Sequence, residues 1–333
     1  MTTEGNIVSH SEGTIVPEAT LPPIASFWHR LGAWVIDAIF LGIIGQILGW
    51  SLSFIWFQIG PYGRFVGLFF LIPYFGILNS NIAGGQTIGK RLLKIGVRDG
   101  ANQPIGIGRS LLRTSILILP FMLNGWSLPI LQNPALQWLQ AVIVFGGGSI
   151  LVYTMIFNRG ARQGLHDLVC GTYVIHLPGK PNFSFLKTSQ IHMVVSGVLL
   201  SIAIVATSAS AFVGAKIVEK TGLAPIHNLY QVLQQDDRFF AVSVNDNRMY
   251  YSQGSVTRTL AIELWYKGTS SSDNERQEIF RSVVQKVFAN MDDVNKYDGI
   301  SVRLTRAYDI GIASGRLFFS ETKSVPDWQD SVK

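Results

Sequence analysis

The chain has few charged residues for its length. Only 14% of its 333 residues are Asp, Glu, Lys or Arg, whereas soluble domains average about 25%. Acidic residues are the scarcest, since Asp37, Asp99 and Asp167 are the only three between residues 27 and 215. Residues 216–333 instead carry fifteen basic and fifteen acidic side chains. This division excludes a uniform soluble protein and a strongly basic nucleic-acid-binding protein, and it indicates a membrane part followed by a water-soluble domain.

Cysteine is nearly absent as well. Cys170 stands alone, which excludes a disulfide within the chain and a thiolate metal cluster.

Residues 1–26 contain three Glu and three Pro but no Lys or Arg, so they lack the basic start and apolar core of a secretory signal. We expect residues 1–26 to form a flexible cytoplasmic leader.

Long apolar stretches fill most of the first 215 residues. A helix needs roughly 20 apolar residues to cross a bilayer, and five stretches approach or reach that length. The third of them is short and contains Pro120. We therefore predict an all-α polytopic helix bundle with about five transmembrane helices, at residues 31–52, 65–80, 111–125, 136–157 and 191–213.

Basic residues collect in alternate loops of this predicted bundle. Cytoplasmic loops of membrane proteins are rich in Lys and Arg, and the opposite loops here carry only Arg64. We expect a multi-pass protein of the cytoplasmic membrane with a cytoplasmic N-terminus and, after five crossings, an extracytoplasmic C-terminal domain. The basic loops contain Lys90, Arg91, Lys94, Arg98, Arg109 and Arg113 after the second stretch, and Arg159, Arg162, Lys180 and Lys187 after the fourth.

The last part of the chain has the pattern of a small α+β domain. Apolar residues recur at helical spacing across residues 274–294, which predicts a helix with one buried face. Four segments rich in β-branched and aromatic residues flank it. We expect a helix laid on a small antiparallel sheet, with strands at residues 239–245, 255–266, 299–308 and 311–320.

Asp37 is the most unusual residue in the apolar part. A carboxylate inside a bilayer costs about 2.5–3.5 kcal/mol, so such residues usually face a partner or a cavity. Arg30 lies seven residues earlier, nearly two helical turns, and therefore shares a face with Asp37. The sequence leaves three roles open for Asp37: a structural pin that neutralises a basic residue, an ion or proton site, and contact with a lipid headgroup or a partner.

A second acidic position follows the fourth apolar stretch. His166 and Asp167 are suited to donate protons or to ligate a cation, but an adjacent His-Asp pair in a turn more often caps a helix. The pair falls short of the three or four spaced ligands of a metal site. We expect no metal and no cofactor in this chain.

A glycine-rich segment, Gly84 to Lys90, resembles a phosphate-binding loop only in part. Arg91 stands where that loop needs a Ser or Thr for magnesium, and the segment follows an apolar stretch instead of a β-strand. We interpret it as a glycine turn leading into a basic stretch whose side chains contact lipid headgroups. The residues for this contact are Lys90, Arg91, Lys94 and Arg98.

Small residues also suggest where helices approach closely. Gly45 and Gly49 form a small-xxx-small pair, and Gly146 to Gly148 lie in the fourth stretch. Both patterns permit close helix packing, within the chain or between chains.

The C-terminal domain contains no nucleophile elbow, zinc-ligand spacing or catalytic acid pair, so we expect no catalytic residues and no enzyme activity.

Several ordered motifs resemble those of the RDD family of integral membrane proteins, named for one arginine and two aspartates. The resemblance covers about residues 26–176 and implies that the family triad is Arg30, Asp37 and Asp167. It divides the chain into an RDD-like membrane domain (27–176), a linker with the fifth helix (177–215) and a soluble domain (216–333). The matching motifs are Phe27 to Asp37, Gly85 to Arg91, Val97 to Gly100, Arg109 to Arg113, and Arg162 to Asp167 continuing through Gly171-Thr172.

The resemblance and the residues together favour two functions. The family has a proposed transport role, with some members implicated in cation/proton exchange, which implies a transporter that uses buried carboxylates. Five helices are few for such a carrier, so a homo-oligomer would be expected. The alternative is a membrane anchor or envelope-assembly protein whose extracytoplasmic domain recruits a protein partner. Either protein would be embedded in the lipid bilayer and would not bind nucleic acid.

Overall fold

The computed structural model describes six ranges of the chain. These ranges are residues 24–126, 133–177, 188–220, 223–250, 255–268 and 272–332. The predicted leader, residues 1–26, lies outside the described residues except for its last three. Part of the predicted linker, residues 178–187, also lies outside them.

The first two thirds of the chain are mainly helical. Four helices are long and apolar enough to cross a membrane, at Phe27–Ser51, Ser53–Leu78, Pro134–Phe157 and Gln190–Ser210. The helices of this part are α1 (Phe27–Ser51), α2 (Ser53–Ile59), α3 (Arg64–Leu78), α4 (Ile88–Leu92), α5 (Ile107–Leu123), α6 (Pro134–Ala141), α7 (Gly148–Phe157), α8 (Leu165–Cys170) and α9 (Gln190–Lys220).

Two of the predicted membrane stretches differ from the helices observed. The residues before the second stretch, expected to be a loop, form α2, and a 3₁₀ turn at Gly60–Gly63 joins α2 to α3. The third stretch becomes α5, which has 17 residues and Pro120 inside it. Because α5 is shorter than the four candidate spans, the predicted number of five crossings is not confirmed.

Helices α3 and α5 lie side by side and run in opposite directions. At one end, Gly76 of α3 faces the side chain of Leu111 in α5. At the other end, the guanidinium of Arg64 donates hydrogen bonds of 2.7 Å to the carbonyls of Met122 and Asn124. The two helices therefore connect the same two ends of the bundle.

A two-stranded antiparallel sheet ties the interhelical segments together. Strand β1 (Ile95–Asp99) pairs with β2 (Thr172–His176). Their apolar side chains pack with Ala25 and Ile105 in a small core. The membrane domain is therefore not all-α as predicted, because the segments after α4 and α8 pair with each other across the 72 residues that separate them.

The C-terminal domain is α+β, as the sequence pattern indicates. Its four-stranded sheet has the order β3-β4-β5-β6, and one face is covered by helices whose apolar residues meet the sheet in a single core. The elements are α10 (Ala224–Gln234), β3 (Phe239–Tyr250), β4 (Val256–Tyr266), α11 (Asp273–Asn290), β5 (Gly299–Asp309), β6 (Ser314–Ser324) and α12 (Val325–Val332).

The sheet is mixed, whereas we predicted an antiparallel one. Strands β4 and β5 run parallel, and the other neighbouring pairs run antiparallel. Helix α11 connects β4 to β5, and such a crossover returns the chain to the starting edge so that the next strand points the same way. The residue pattern predicted these strands, but it does not specify the direction in which neighbouring strands pair.

Candidate functional site: two joints along helix α1

Asp37 is buried and accepts hydrogen bonds from three groups. Its side chain, in the middle of α1, leaves 1% of the residue exposed. The hydroxyl of Tyr74 donates at 2.8 Å and the backbone N–H of Gly89 at 2.8 Å, both to Oδ1. The hydroxyl of Thr87 donates to Oδ2 at 2.6 Å. The carboxylate thus joins α1 to α3 and to the start of α4.

The glycine-rich segment folds so that it can reach Asp37. Thr87 caps the N-terminus of α4 by accepting a hydrogen bond from the backbone N–H of Lys90, as a threonine before a helix commonly does. Gly89 then lies so close to α1 that a Cβ there would overlap the carbonyl oxygen of Ala33. Glycine is required at this position because the two backbones are in contact.

Asp167 is fully buried and holds together four segments of the chain. Arg113 of α5 donates two hydrogen bonds to Oδ1, at 2.9 and 2.7 Å, and Arg30 of α1 donates to Oδ2 at 3.2 Å. The Thr172 hydroxyl donates at 2.8 Å, and the backbone N–H of Gly164 at 3.4 Å. The last contact caps the start of α8, which is the helix-cap role that the sequence left open for this carboxylate.

The pKa values around Asp167 follow from burial and from the two arginines. Burial alone would raise the pKa of the Asp167 carboxyl, but Arg113 and Arg30 outweigh it and hold the pKa below its usual range. Burial lowers the pKa of the neighbouring His166 to about 3. His166 is therefore neutral at physiological pH, and its Nδ1 is buried without a hydrogen-bond partner among the described residues.

Lys90 lies close to the same region. Its ammonium donates a hydrogen bond to the side-chain oxygen of Asn79, and burial lowers the pKa of Lys90 well below its ordinary value. Arg91 and Lys94 are exposed, while Arg98 is half-buried and donates to the carbonyls of Gly84 and Val97. We name the buried and partly buried charged residues at this end the polar cluster: Arg30, Asp37, Lys90, Arg113 and Asp167.

Sequence reasoning found the two carboxylates but not all of their partners. Arg30 and Asp37 share a face of α1, yet Arg30 bonds Asp167 and Asp37 bonds neutral donors. Arg113 was placed in a basic loop and in a family motif but was not predicted to pair with Asp167, although its position inside an apolar stretch signals a buried partner. No sequence signal identified Tyr74 as a donor to Asp37.

The opposite half of α1 contacts the C-terminal domain. The turn between β5 and β6, residues 310–313, lies between α1 and α3, and we name it the docked turn. Ile310 is fully buried there, and Ile312 packs with Leu41 of α1, Leu71 of α3 and Ile118 of α5. A turn of the C-terminal domain thus packs against three helices of the membrane part.

Glycines make room for the docked turn. A Cβ at Gly45 would overlap the carbonyl oxygen of Ile312, and one at Gly67 would overlap that of Ile310. At Gly63 a Cβ would lie 2.7 Å from the carbonyl oxygen of Asp309. The small-residue pair of α1 is therefore occupied within the chain, because Gly49 likewise faces the hydroxyl of Tyr308.

One ion pair, between Arg64 and Asp309, lies beside the docked turn. Nε of Arg64 donates to Oδ2 of Asp309 at 2.8 Å, while Arg64 also holds the end of α5. The other carboxylate oxygen of Asp309 accepts the backbone N–H of Gly311 at 2.8 Å, which shapes the turn. Tyr308 packs edge-on against Phe57 of α2, with ring centroids 5.2 Å apart. We call this second contact region the glycine joint.

The described residues contain no group of three or more His, Cys, Asp or Glu side chains placed to hold a metal ion.

The comparisons with known proteins bear on the membrane part. No curated protein and no solved structure matches the chain. The model of the RDD family matches residues 24–171, which include Arg30, Asp37, Arg113 and Asp167 and exclude the C-terminal domain. Together with helices apolar enough to cross a membrane, this match identifies the protein as a membrane protein with an RDD-family domain over residues 24–171.

Proposed function

We propose that this protein is a membrane scaffold that holds its C-terminal domain in a fixed position at the bilayer surface for a protein partner. The observation that carries the proposal is the docked turn. A tether would need one membrane helix, whereas here a turn of the C-terminal domain packs against α1, α3 and α5. Such an interface restrains the orientation of the domain, which a scaffold requires and a simple carrier does not.

The same proposal includes an arrangement across the membrane. We take α5 as a fifth crossing, because its ends coincide with those of α3, and we place the polar cluster at the cytoplasmic side because of the basic loops. The docked turn lies on the opposite half of α1. The C-terminal domain would then be extracytoplasmic.

Labelling of single cysteines tests this arrangement. Asn247 in β3 and Arg91 in α4 are both exposed, so each can be replaced by cysteine without disturbing a core. A membrane-impermeant maleimide should label Asn247→Cys in intact cells and Arg91→Cys only after the membrane is opened. The reverse pattern, or labelling of both in intact cells, would contradict the arrangement. The unsubstituted chain, whose single cysteine is buried, is the control for background.

Cation transport through the carboxylates receives less support from the geometry. A carrier must expose its carboxylates to the ion or bind protons near physiological pH. Asp37 accepts three hydrogen bonds from the protein, and the pKa of Asp167 is held low by two arginines. Most of the acceptor sites of the two carboxylates are therefore already used by the fold.

Everted vesicles separate the two functions. The scaffold proposal predicts that a cation gradient produces the same internal pH change with the original chain and with Asp37→Asn at equal amounts of folded protein. If the original chain gives a cation-driven pH change that Asp37→Asn abolishes, transport is the function and the scaffold proposal is wrong.

A further inference from the structure

A cleft lies between the membrane part and the open face of the C-terminal sheet. Its volume is about 740 Å³, within the range of about 300–1,000 Å³ that is usual for small-molecule sites. Gly60, Pro61 and Trp126 line it from the membrane part, and Trp265, Ala307 and Arg316 line it from the sheet. Clefts between domains are common places for ligands.

The cleft offers hydrogen-bond donors that the fold does not use. Arg64 also borders it, but that guanidinium is bonded to Asp309 and to two carbonyls. Arg316 is exposed, and within the part of the chain that the structure describes it makes no hydrogen bond or ion pair. The indole N–H of Trp265 is likewise without a partner among the described residues. The lining contains two arginines, Arg64 and Arg316, and one carboxylate, Asp309, so it carries a net positive charge.

The cleft is placed at the edge of the apolar region. Gly60 and Pro61 belong to the turn that interrupts the candidate span Ser53–Leu78. Trp126 packs against Phe65, with ring centroids 4.8 Å apart, and Phe65 is 52% exposed on the outside of α3. Aromatic side chains in this arrangement are typical of a membrane–water boundary.

We propose that this cleft binds the phosphate-bearing headgroup of an anionic phospholipid. Arg316 pairs with the phosphate, because a guanidinium presents parallel N–H groups that match two phosphate oxygens. The indole N–H of Trp265 donates a further hydrogen bond, and Trp126 contacts the apolar part of the molecule. This site is independent of the scaffold proposal, since a transporter or a scaffold could carry it.

A soluble phosphate ester shares part of this chemistry, so the test compares three probes. Binding is measured by calorimetry with the full chain in a neutral detergent. The probes are short-chain phosphatidylglycerol, phosphatidylcholine with the same tails, and glycerol phosphate. We expect phosphatidylglycerol to bind at least about tenfold more tightly than phosphatidylcholine, whose choline cation is repelled by the positively charged lining. We expect a similar difference from glycerol phosphate, which lacks the acyl tails that Trp126 contacts.

Two arginines on the same face of the sheet give a matched pair of variants. Arg316→Gln should weaken phosphatidylglycerol binding about tenfold. Arg303→Gln, which removes an exposed arginine stacked on Phe318 outside the cleft, should leave binding unchanged. Trp265→Phe keeps a ring and loses the N–H, and it serves as the second test if Arg316→Gln does not fold.

Each other result would overturn the proposal. Equal binding by Arg316→Gln and the original chain would show that the cleft does not hold the phosphate. Equal binding of phosphatidylcholine would exclude recognition of anionic charge. Glycerol phosphate bound as tightly as the lipid would assign the cleft to a soluble ester.

Discussion

The two halves of α1 are joined to the rest of the molecule by different physical means. Its first half carries Arg30 and Asp37, and the polar cluster there is held by charges and hydrogen bonds. Its second half carries Gly45 and Gly49, and the glycine joint there is held by close packing of backbone and apolar side chains. The first joint connects segments of the RDD-family domain, and the second connects that domain to the C-terminal domain.

The difference predicts different responses to substitution. Removing one member of a buried ion pair leaves the other charge without a partner, at a cost of about 3–5 kcal/mol. Adding a methyl group to a close-packed contact costs about 1–3 kcal/mol. A half-exposed ion pair contributes about 0–1 kcal/mol and is screened by salt. The following substitutions test whether the joints behave in these three ways.

The largest loss of stability is expected for Asp167→Asn. This change leaves the buried guanidiniums of Arg30 and Arg113 without their carboxylate, and the free energy of unfolding should fall by about 3–5 kcal/mol. Denaturant unfolding of the chain in detergent measures it. Asp237→Asn is the control, because Asp237 is exposed and should change stability by less than about 0.5 kcal/mol. A loss below about 1 kcal/mol for Asp167→Asn would contradict a charge-held joint.

The next largest change in stability should appear at the glycine joint, where alanine should destabilise the protein at one glycine of α1 and not at another. Gly45→Ala places a methyl group against the backbone of Ile312 and should destabilise the docked turn by about 1–3 kcal/mol. A Cβ at Gly42 meets nothing within 4 Å, so Gly42→Ala should be neutral or stabilise the helix by up to about 1 kcal/mol. Thermal unfolding of both variants in detergent decides the comparison, and equal midpoints would count against the packing account.

A pH effect of about 1 kcal/mol should come from His166, which lies next to Asp167 of the polar cluster. The pKa of His166 is about 3 in the folded protein against 6.5 for the free side chain. Between these values the unfolded chain binds more protons, so stability falls as the pH drops below 6.5. At pH about 5.5 the loss is roughly 1.4 kcal/mol.

The substitution His166→Gln isolates this effect. The variant should lose the part of the slope between pH 6.5 and about 4 in a plot of unfolding free energy against pH. Asp167 contributes at lower pH, because its pKa is depressed and its stabilisation is lost only as the pH falls below the ordinary value of 3.8. Identical slopes for the variant and the original chain would contradict the burial of neutral His166.

The smallest effect is expected from the ion pair at the glycine joint. Asp309 is 41% exposed in its pair with Arg64, so Asp309→Asn should cost only about 0.5 kcal/mol at low salt. Raising the salt concentration should remove most of this difference. Salt should leave the effect of Asp167→Asn nearly unchanged, since that carboxylate is fully buried. Unfolding measured at two salt concentrations compares the pairs directly.

Sequence patterns predicted each joint only in part. Asp37 and Asp167 were recognisable because a carboxylate among apolar residues needs a partner. The partners Tyr74 and Thr87 were not, because each hydrogen bond depends on how separate segments fold together. Gly45 and Gly49 indicated close packing, but a short spacing of small residues does not specify what fills the space.

In the C-terminal domain, too, the residue pattern predicted elements of secondary structure but not how they contact each other. Helix α11 and strands β3 to β5 were predicted close to their positions because residue periodicity encodes them. Helices α10 and α12 were not predicted, and the last strand begins at Ser314 instead of residue 311. The parallel pairing of β4 and β5 was missed, because the periodicity of a strand is the same for either direction of its neighbour. The docked turn was missed because Ile310 and Ile312 resemble ordinary strand residues when the groove that receives them is unknown.

Hydrogen exchange of the full chain in lipid nanodiscs tests the central claim most directly. The measurement compares the docked turn with the exposed end of the β3–β4 pair, residues 247–250 and 255–256. The burial of Ile310 and the hydrogen bonds donated by the amides of Ile310 and Gly311 predict slow exchange at these two residues and fast exchange at the exposed end of the β3–β4 pair. Gly45→Ala should accelerate exchange at the docked turn alone. Exchange at Ile310 and Gly311 as fast as at the exposed end of the β3–β4 pair would contradict the account, because the C-terminal domain would then not be fixed to the membrane domain.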